Sequence, residues 1–426
     1  MKTDSTLRSL SAALAVVLFV AVSAFGLNEK ANGKKISFTS KSEEAKQIVP
    51  KIVRGIESFD NPQQLLQLAQ KMVELDPQFA FGHYYLATFT QPPDNQKHAE
   101  KATEMAKNAS DGERRYIEAV FLTRANQPDK ATEIFLDLAR QYPEERMVHM
   151  MLGQVYSNQG KAEEAKAAFE RALQLDGSTA RVYGFLGNLH LLKGDYAKAR
   201  EMFKTSLGKR AAGSAPFLSH YGLAYSYVYE GDVKSALNQL NAYQEEYMKT
   251  GQQANFPPVF IWNSIGRLLL ESGRAEESIK AYEKGYEMVA QSSIPEDQKK
   301  IWLGRMHHGR GRALAKMGKH EEAWKEAELI KKMIDEGGEQ GKQFMPAYHY
   351  IAGYLKLESR DYAKAIEHLK QSDMNDPFHK LLLARAYEKA GDQENAQKLY
   401  KEVAAYNQVT LERALAYPEA KKKLKG

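Results

Sequence analysis

The sequence predicts an all-α protein, a superhelix of stacked helix-turn-helix hairpins. Three observations lead there. Helix-forming segments alternate with short turns from about residue 42 to the last residues of the chain. No convincing alternation of apolar and polar residues marks a strand. The chain also repeats itself: LGQVYSNQGKAEEAKAAFERAL, from Leu152, and LGNLHLLKGDYAKAREMFKTSL, from Leu186, align at an offset of 34. That offset places Gly153 on Gly187, Gly160 on Gly194, Ala165 on Ala199 and Phe169 on Phe203. A unit of this length leaves an apolar face exposed by itself, and stacking neighbours bury it.

Lys2 and Arg8 precede an apolar run from Leu10 to Val22, followed by Val22-Ser23-Ala24, with small residues where a signal peptidase reads. This is the layout of a secretory signal peptide over residues 1–24, with cleavage after Ala24 and a periplasmic or secreted product. The run is short for a membrane span. At this point two outcomes stay open: removal of the segment, or its retention as an uncleaved anchor. No other segment is long and apolar enough to cross a bilayer. Residues 25–41, with NEKANGKKISFTSK at 28–41, are polar and aperiodic and read as a flexible leader.

The helical units follow. Before Leu152 they centre on Ala99 and on Ala131/Phe135, with a degenerate one over residues 45–77. After Phe203 the pattern returns at Leu223-Ala224/Gly231/Ala236, Trp262/Ile265-Gly266/Gly273/Tyr282, Gly311/Gly318/Ala323, Gly353/Ala365/Leu369 and Leu383-Ala384/Gly391/Ala396/Tyr400. These residues, with the helix exits ELDP (Glu74 to Pro77) and QYP (Gln141 to Pro143), resemble the tetratricopeptide repeat family. The resemblance covers most of the chain and implies a right-handed α-α superhelix of nine or ten units. Two arrays follow, over residues 42–213 and 214–410, the second with longer units, and a basic tail over residues 411–426. Lys421, Lys422, Lys423 and Lys425 in that tail read as a solvated, frayed end. Gly153, Gly187 and Gly266 allow close approach of two helices. The turn glycines Gly160, Gly194, Gly231 and Gly391 end first helices at positive φ.

The stretch SHYGLAYSYVYEGDVKSAL places Tyr221, Tyr225 and Tyr229 on one stripe of a helix. Leu223, Ala224 and Tyr227 occupy the stacking face, so at about 100° per residue the stripe points the other way. The resemblance implies that this other face of the first helices lines a concave groove where extended peptides bind. By the same offsets it implies further groove residues: Tyr84, Tyr116, Gln154, Asn158, Asn188, Asn263, Arg267, His308, Arg312, Lys316, Tyr350, Tyr354, Arg385 and Lys389. Tyrosine offers contact area at low entropy cost, asparagine can pair a peptide backbone, and arginine can grip a carboxylate. The alternative is that the tyrosines pack against a neighbouring helix or loop.

Chemistry narrows the function. The net charge of +6, from 60 basic and 54 acidic residues, is mild and unclustered, which argues against nucleic acid as a partner. There is no cysteine, so disulfides, thiolate catalysis and cysteine zinc sites are excluded. No phosphate loop or His-Glu-x-x-His occurs. The adjacent His307 and His308 point about 100° apart on a helix, so a shared metal would need other ligands. The sequence thus predicts a non-enzymatic scaffold without metal or cofactor, binding a protein or extended peptide in its concave groove. A glycan or small-molecule module of the cell envelope, stacking on the groove tyrosines, is the alternative.

Overall fold

A computed structural model describes residues 35–250, 258–292 and 294–425. The signal-like segment lies outside them. Among the described residues are twenty-two helices and no strand. They pair in chain order into hairpins: α1 (Glu43–Ser58) with α2 (Pro62–Leu75), α3 (Ala80–Phe89) with α4 (Asp94–Ala106), α5 (Asp111–Arg124) with α6 (Pro128–Gln141), α7 (Arg146–Asn158) with α8 (Ala162–Leu175), and α9 (Ala180–Lys193) with α10 (Tyr196–Lys209). The second half continues with α11 (Phe217–Tyr229) and α12 (Val233–Lys249), α13 (Pro258–Glu271) and α14 (Ala275–Ala290), and α15 (Glu296–Lys316) and α16 (His320–Glu336). A short α17 (Gly338–Lys342) precedes α18 (Met345–Glu358) with α19 (Tyr362–Leu369), then α20 (Pro377–Ala390) with α21 (Gln393–Ala405), and finally α22 (Leu411–Lys423).

The turns follow from local chemistry. Gly194, Gly231 and Gly391 adopt φ of 84°, 79° and 88°, which a side chain would disfavour. The next residue, Asp195, Asp232 or Asp392, then caps the second helix by accepting a backbone N–H three residues on. Arg360 takes the glycine position before α19 at φ 64°, and Asp361 caps that helix.

Stacking depends on aromatic rings held between glycines. A Cβ on Gly187 would lie 2.6 Å from the Phe203 ring, and one on Gly222 only 2.2 Å. Phe203 of α10 thus fills the space between α9 and α11. Tyr282 is held likewise by Gly266 and Gly309, and Phe169 packs on Gly153. Ala165, Ala199 and Ala236 are all fully buried at helix contacts.

Both ends of the described chain depart from the repeat. α1 pairs with α2 and also reaches α9, so it crosses the face of the first helices. Arg181 donates from Nε to the Ile56 carbonyl at 2.8 Å, the Ala211 N–H donates to Ser58, and Arg146 pairs with Glu57 at 2.6 Å. At the other end, residues 411–423 form a helix rather than a frayed tail. α22 packs on α20 and α21 and also on α11, far earlier in the chain. Its buried Leu411, Ala414, Ala416 and Ala420 join the cores of both regions. Lys421 and Lys422 are exposed, whereas Lys423 pairs with Glu388 at 2.5 Å. Each of the two crossing helices contains a proline, Pro50 or Pro418.

The described end of the leader is tethered. Carboxylates aligned at the starts of successive hairpins accept its backbone N–H groups: Ile36 donates to Glu145, Thr39 to Glu113 at 2.6 Å, and Lys41 to Asp76 at 2.9 Å. Residues 35–41 are held because these carboxylates satisfy an extended backbone that would otherwise leave its donors to water.

Candidate functional site

The tyrosine stripe of α11 does not form an open surface. Tyr221, Tyr225 and Tyr229 are 1%, 6% and 5% exposed. Tyr221 lies edge-on to Tyr243 of α12, and its hydroxyl is 3.0 Å from Ser264 Oγ of α13. Tyr225 packs edge-on against Tyr221, and its hydroxyl meets the backbone at Leu411. Tyr229 stacks on Tyr196 and accepts a 2.6 Å hydrogen bond from Arg413 of α22. Burial raises its phenol to about 12. The stripe is covered because α22 and the next hairpin occupy the side that the repeat alone would leave free. Tyr227, assigned to the stacking face, is only half-buried, under the Arg200 guanidinium at 5.0 Å. A glycan platform on these three rings is therefore closed.

The basic stretch of the expected groove is also interior. Arg267 and Arg312 are 9% and 3% exposed. Arg312 donates to the Tyr350 and Tyr282 hydroxyls at 3.0 Å each, and Arg267 lies over Phe378 at 4.1 Å beside Glu271. Tyr350 and Tyr354 are buried, and the His308 ring lies 4.5 Å from Tyr350. Burial, with Arg312 beside it, holds His308 well below the usual imidazole range. Arg385 is bound to Glu419 of α22 by two hydrogen bonds, and Lys316 to Glu358. Asn188 and Asn263 are half-buried, and Lys389 is exposed. The structure brings Arg267, His308, Arg312, Tyr350 and Tyr354 together, but as an internal network rather than a surface. Arg312 can stay there because tyrosine hydroxyls replace water around it, whereas Arg267 relies on the Glu271 carboxylate and the Phe378 face, with its Nε and one terminal nitrogen left without a hydrogen bond.

The first half carries an opening on the first-helix face. A cleft of about 290 Å³ runs beside α1 over α3, α5, α7 and α9. Its lining includes Tyr84, Tyr116, Gln154 and Asn158, four residues indicated by the sequence offsets, and also Met150, Met151, Arg124 and Arg181. Tyr84 and Tyr116 form the buried floor, while Gln154 is half-buried and Asn158 exposed. Arg181 stacks over Phe59 at 4.7 Å and donates from Nε to Ile56, and it forms no ion pair with another described residue. Burial lowers its guanidinium to about 10. Floor and rim together offer apolar contact, amide pairing and a cation.

Sequence reasoning missed a second cleft, between α12 and α14 around Trp262, because its residues face the outer side of the array. Lys234, Asn238 and Asn241 at helical spacing were the available signal. Among the described residues no three metal-ligating side chains converge. His307 is held by Glu326 at 2.5 Å, with Arg310 on the same carboxylate, an arrangement that fixes α15 on α16. No described helix is long and apolar enough to cross a membrane.

Residues 144–211, 261–288 and 380–407 match models of the tetratricopeptide repeat. No curated protein matches the chain. Among solved structures it is similar to a tetratricopeptide repeat protein from Parabacteroides merdae, at 17% identity over 65% of this chain and 98% of that one, TM-score 0.47. It is also similar to PilW, a type IV pilus biogenesis factor, at 13% identity over 55% and 99%, TM-score 0.42. A third similarity is to the Cut9–Hcn1 assembly, at 12% identity over 89% and 66%, TM-score 0.41. With its stacked hairpins and three matched segments, the chain carries tetratricopeptide repeats in an all-α superhelix.

Proposed function

We propose that the protein is a non-enzymatic scaffold that holds a peptide or protein segment in the cleft of its first half. The observation that carries this reading is the cleft's mixture of groups. Gln154 and Asn158 form no hydrogen bond with other described residues, and they stand over a tyrosine and methionine floor. Unpaired amides above apolar area suit an extended backbone with one large side chain. A partner rather than a substrate fits, because no nucleophile–base pair faces the cleft. Nucleic acid is a poor fit, since Arg124 and Arg181 are its only cations.

The experiment is affinity capture from the native cell envelope with the wild type and with Gln154→Arg/Asn158→Arg. Neither side chain is buried, so the circular-dichroism melt should stay unchanged while the captured protein is lost. Capture that survives in the variant would sink the reading. Export belongs to the same proposal. Mass spectrometry of the protein from its native host should find Phe25 at the N-terminus, and a chain still beginning at Met1 would contradict it.

A further inference from the structure

The outer side of the array carries a second cleft of a different make. α12 and α14, second helices of adjacent hairpins, form its walls, and α13 forms its base. Two contiguous openings of about 470 and 690 Å³ share Asn241, Trp262 and Lys284. Trp262, Ile265 and Leu269 face this side of α13, whereas Arg267 on the same helix points inward to Phe378. Leu237 and Ala281 complete an apolar floor.

Three features suit this cleft to a ligand. Lys234, Lys280 and Lys284 stand on its walls without an ion pair among the described residues, although salt bridges are frequent elsewhere on the surface. The neighbouring Glu277 is already engaged by Arg274 through two hydrogen bonds at 2.6 and 2.7 Å. The indole Nε1 of Trp262 and the Oε1 of Gln244 are both buried and have no hydrogen-bond partner. Gln244 is only 8% exposed. Leaving such groups unpaired is unfavourable. One donor and one acceptor are what a single peptide unit needs. Finally, the Lys284 ammonium lies 4.4 Å from the centre of the Trp262 ring, where it covers the indole.

We propose that this cleft binds an extended acidic segment of a partner protein. The peptide's carbonyl accepts from Trp262 Nε1, and its N–H donates to Gln244 Oε1. Asn238 and Asn241 pair with the backbone further along. Carboxylates of the segment meet Lys234, Lys280 and Lys284, and one apolar side chain settles on Leu237, Ile265 and Leu269. Lys284 moves from the indole face to a carboxylate, and the Trp262 and Gln244 side chains turn to present their buried N–H and carbonyl to the peptide. This site is separate from the cleft of the first half, so the scaffold can hold two segments at once.

The test uses the full chain and a short fluorescein-labelled peptide alternating glutamate and leucine, read by anisotropy. Replacing every glutamate by glutamine should weaken binding about tenfold or more, as should Lys280→Glu/Lys284→Glu, with no change in the melt. Raising salt should weaken the glutamate peptide only. Binding should change the tryptophan fluorescence of the wild type, and Trp262→Phe should remove that change. Gln154→Arg/Asn158→Arg, which tests the first-half cleft, should leave this binding intact. Equal affinity of the glutamine peptide, equal affinity of the lysine variant, or tighter binding of an acidic oligosaccharide than of the peptide would each overturn the proposal.

Discussion

Replacing Gly222 by alanine tests the stacking account through the sign of its effect. In an ordinary helix interior this change stabilises, by roughly 0.5–1 kcal/mol, because glycine loses more backbone freedom on folding. Here the new Cβ would lie 2.2 Å from Phe203 Cζ and 2.4 Å from Cε1. The ring is fully buried and cannot retreat, because Gly187 already touches it from α9, where a Cβ would stand 2.6 Å away. Overpacking of this kind costs about 1–3 kcal/mol. It offsets the helical gain, so the variant should be less stable by about 1–2 kcal/mol. Gly208 near the end of α10 is the control, since nothing lies within 4 Å of its added Cβ. Urea unfolding followed at 222 nm should give Gly208→Ala a midpoint at or above that of the wild type and Gly222→Ala one below it. The double variant Phe203→Leu/Gly222→Ala should recover part of the loss, because the two sites share the space. If both alanine variants stabilise alike, the ring is not held between the glycines and the reasoning fails.

Other outcomes follow from single residues. Arg360 occupies the left-handed region at φ 64°, so Arg360→Gly should raise the thermal midpoint, by relief of about 1 kcal/mol of strain. Burial pushes the Glu113 carboxyl up to about 7, against lowering by the Thr39 N–H. Its folded value exceeds its unfolded one, so its contribution is full below about pH 4.5 and is lost as pH rises through about 7. Relative to Glu113→Gln, the wild type should therefore lose about 1–3 kcal/mol between pH 5 and pH 8, and parallel urea midpoints would refute this. Glu419→Gln weakens the paired bonds to Arg385 that hold α22. Amide exchange over Leu411–Lys423 should then quicken about 5–30-fold, for a loss of about 1–2 kcal/mol, and unchanged exchange would show that α22 is held otherwise.

The stacking chemistry was legible in the sequence. Gly153, Gly187 and Gly266 mark close approach, Ala165, Ala199 and Ala236 mark buried contacts, and the turn glycines take positive φ, all from the spacing alone. Periodicity reports what a residue meets inside its own unit and the next one. It carries no information about segments that return from far along the chain. Tyr229 meets Arg413 across 184 positions, and Arg181 meets Ile56 across 125. For that reason Tyr225 and Tyr229, which meet α22, read as free, and the leader and tail read as loose, whereas Tyr221 is closed by its own hairpin at Tyr243 and by the next at Ser264, contacts that the helical angle alone did not reveal. α22 gave a second signal that composition obscured: its lysines gather at its end, while Leu411 and Ala414 are buried on one face and Ala416 and Ala420 on the other, each pair in a different core. The first-half offsets located Tyr84, Tyr116, Gln154 and Asn158 in one cleft because there α1 covers only part of the face.

The most direct measurement places a photoreactive benzoylphenylalanine at position 154 of the intact protein, with position 136 on the opposite, exposed side as control. After irradiation in the native host, mass spectrometry should find one protein segment joined at position 154 and absent at position 136. A crosslink pattern that is the same at both positions, or none at 154 while the partner is still captured, would contradict a scaffold that works through its inner cleft.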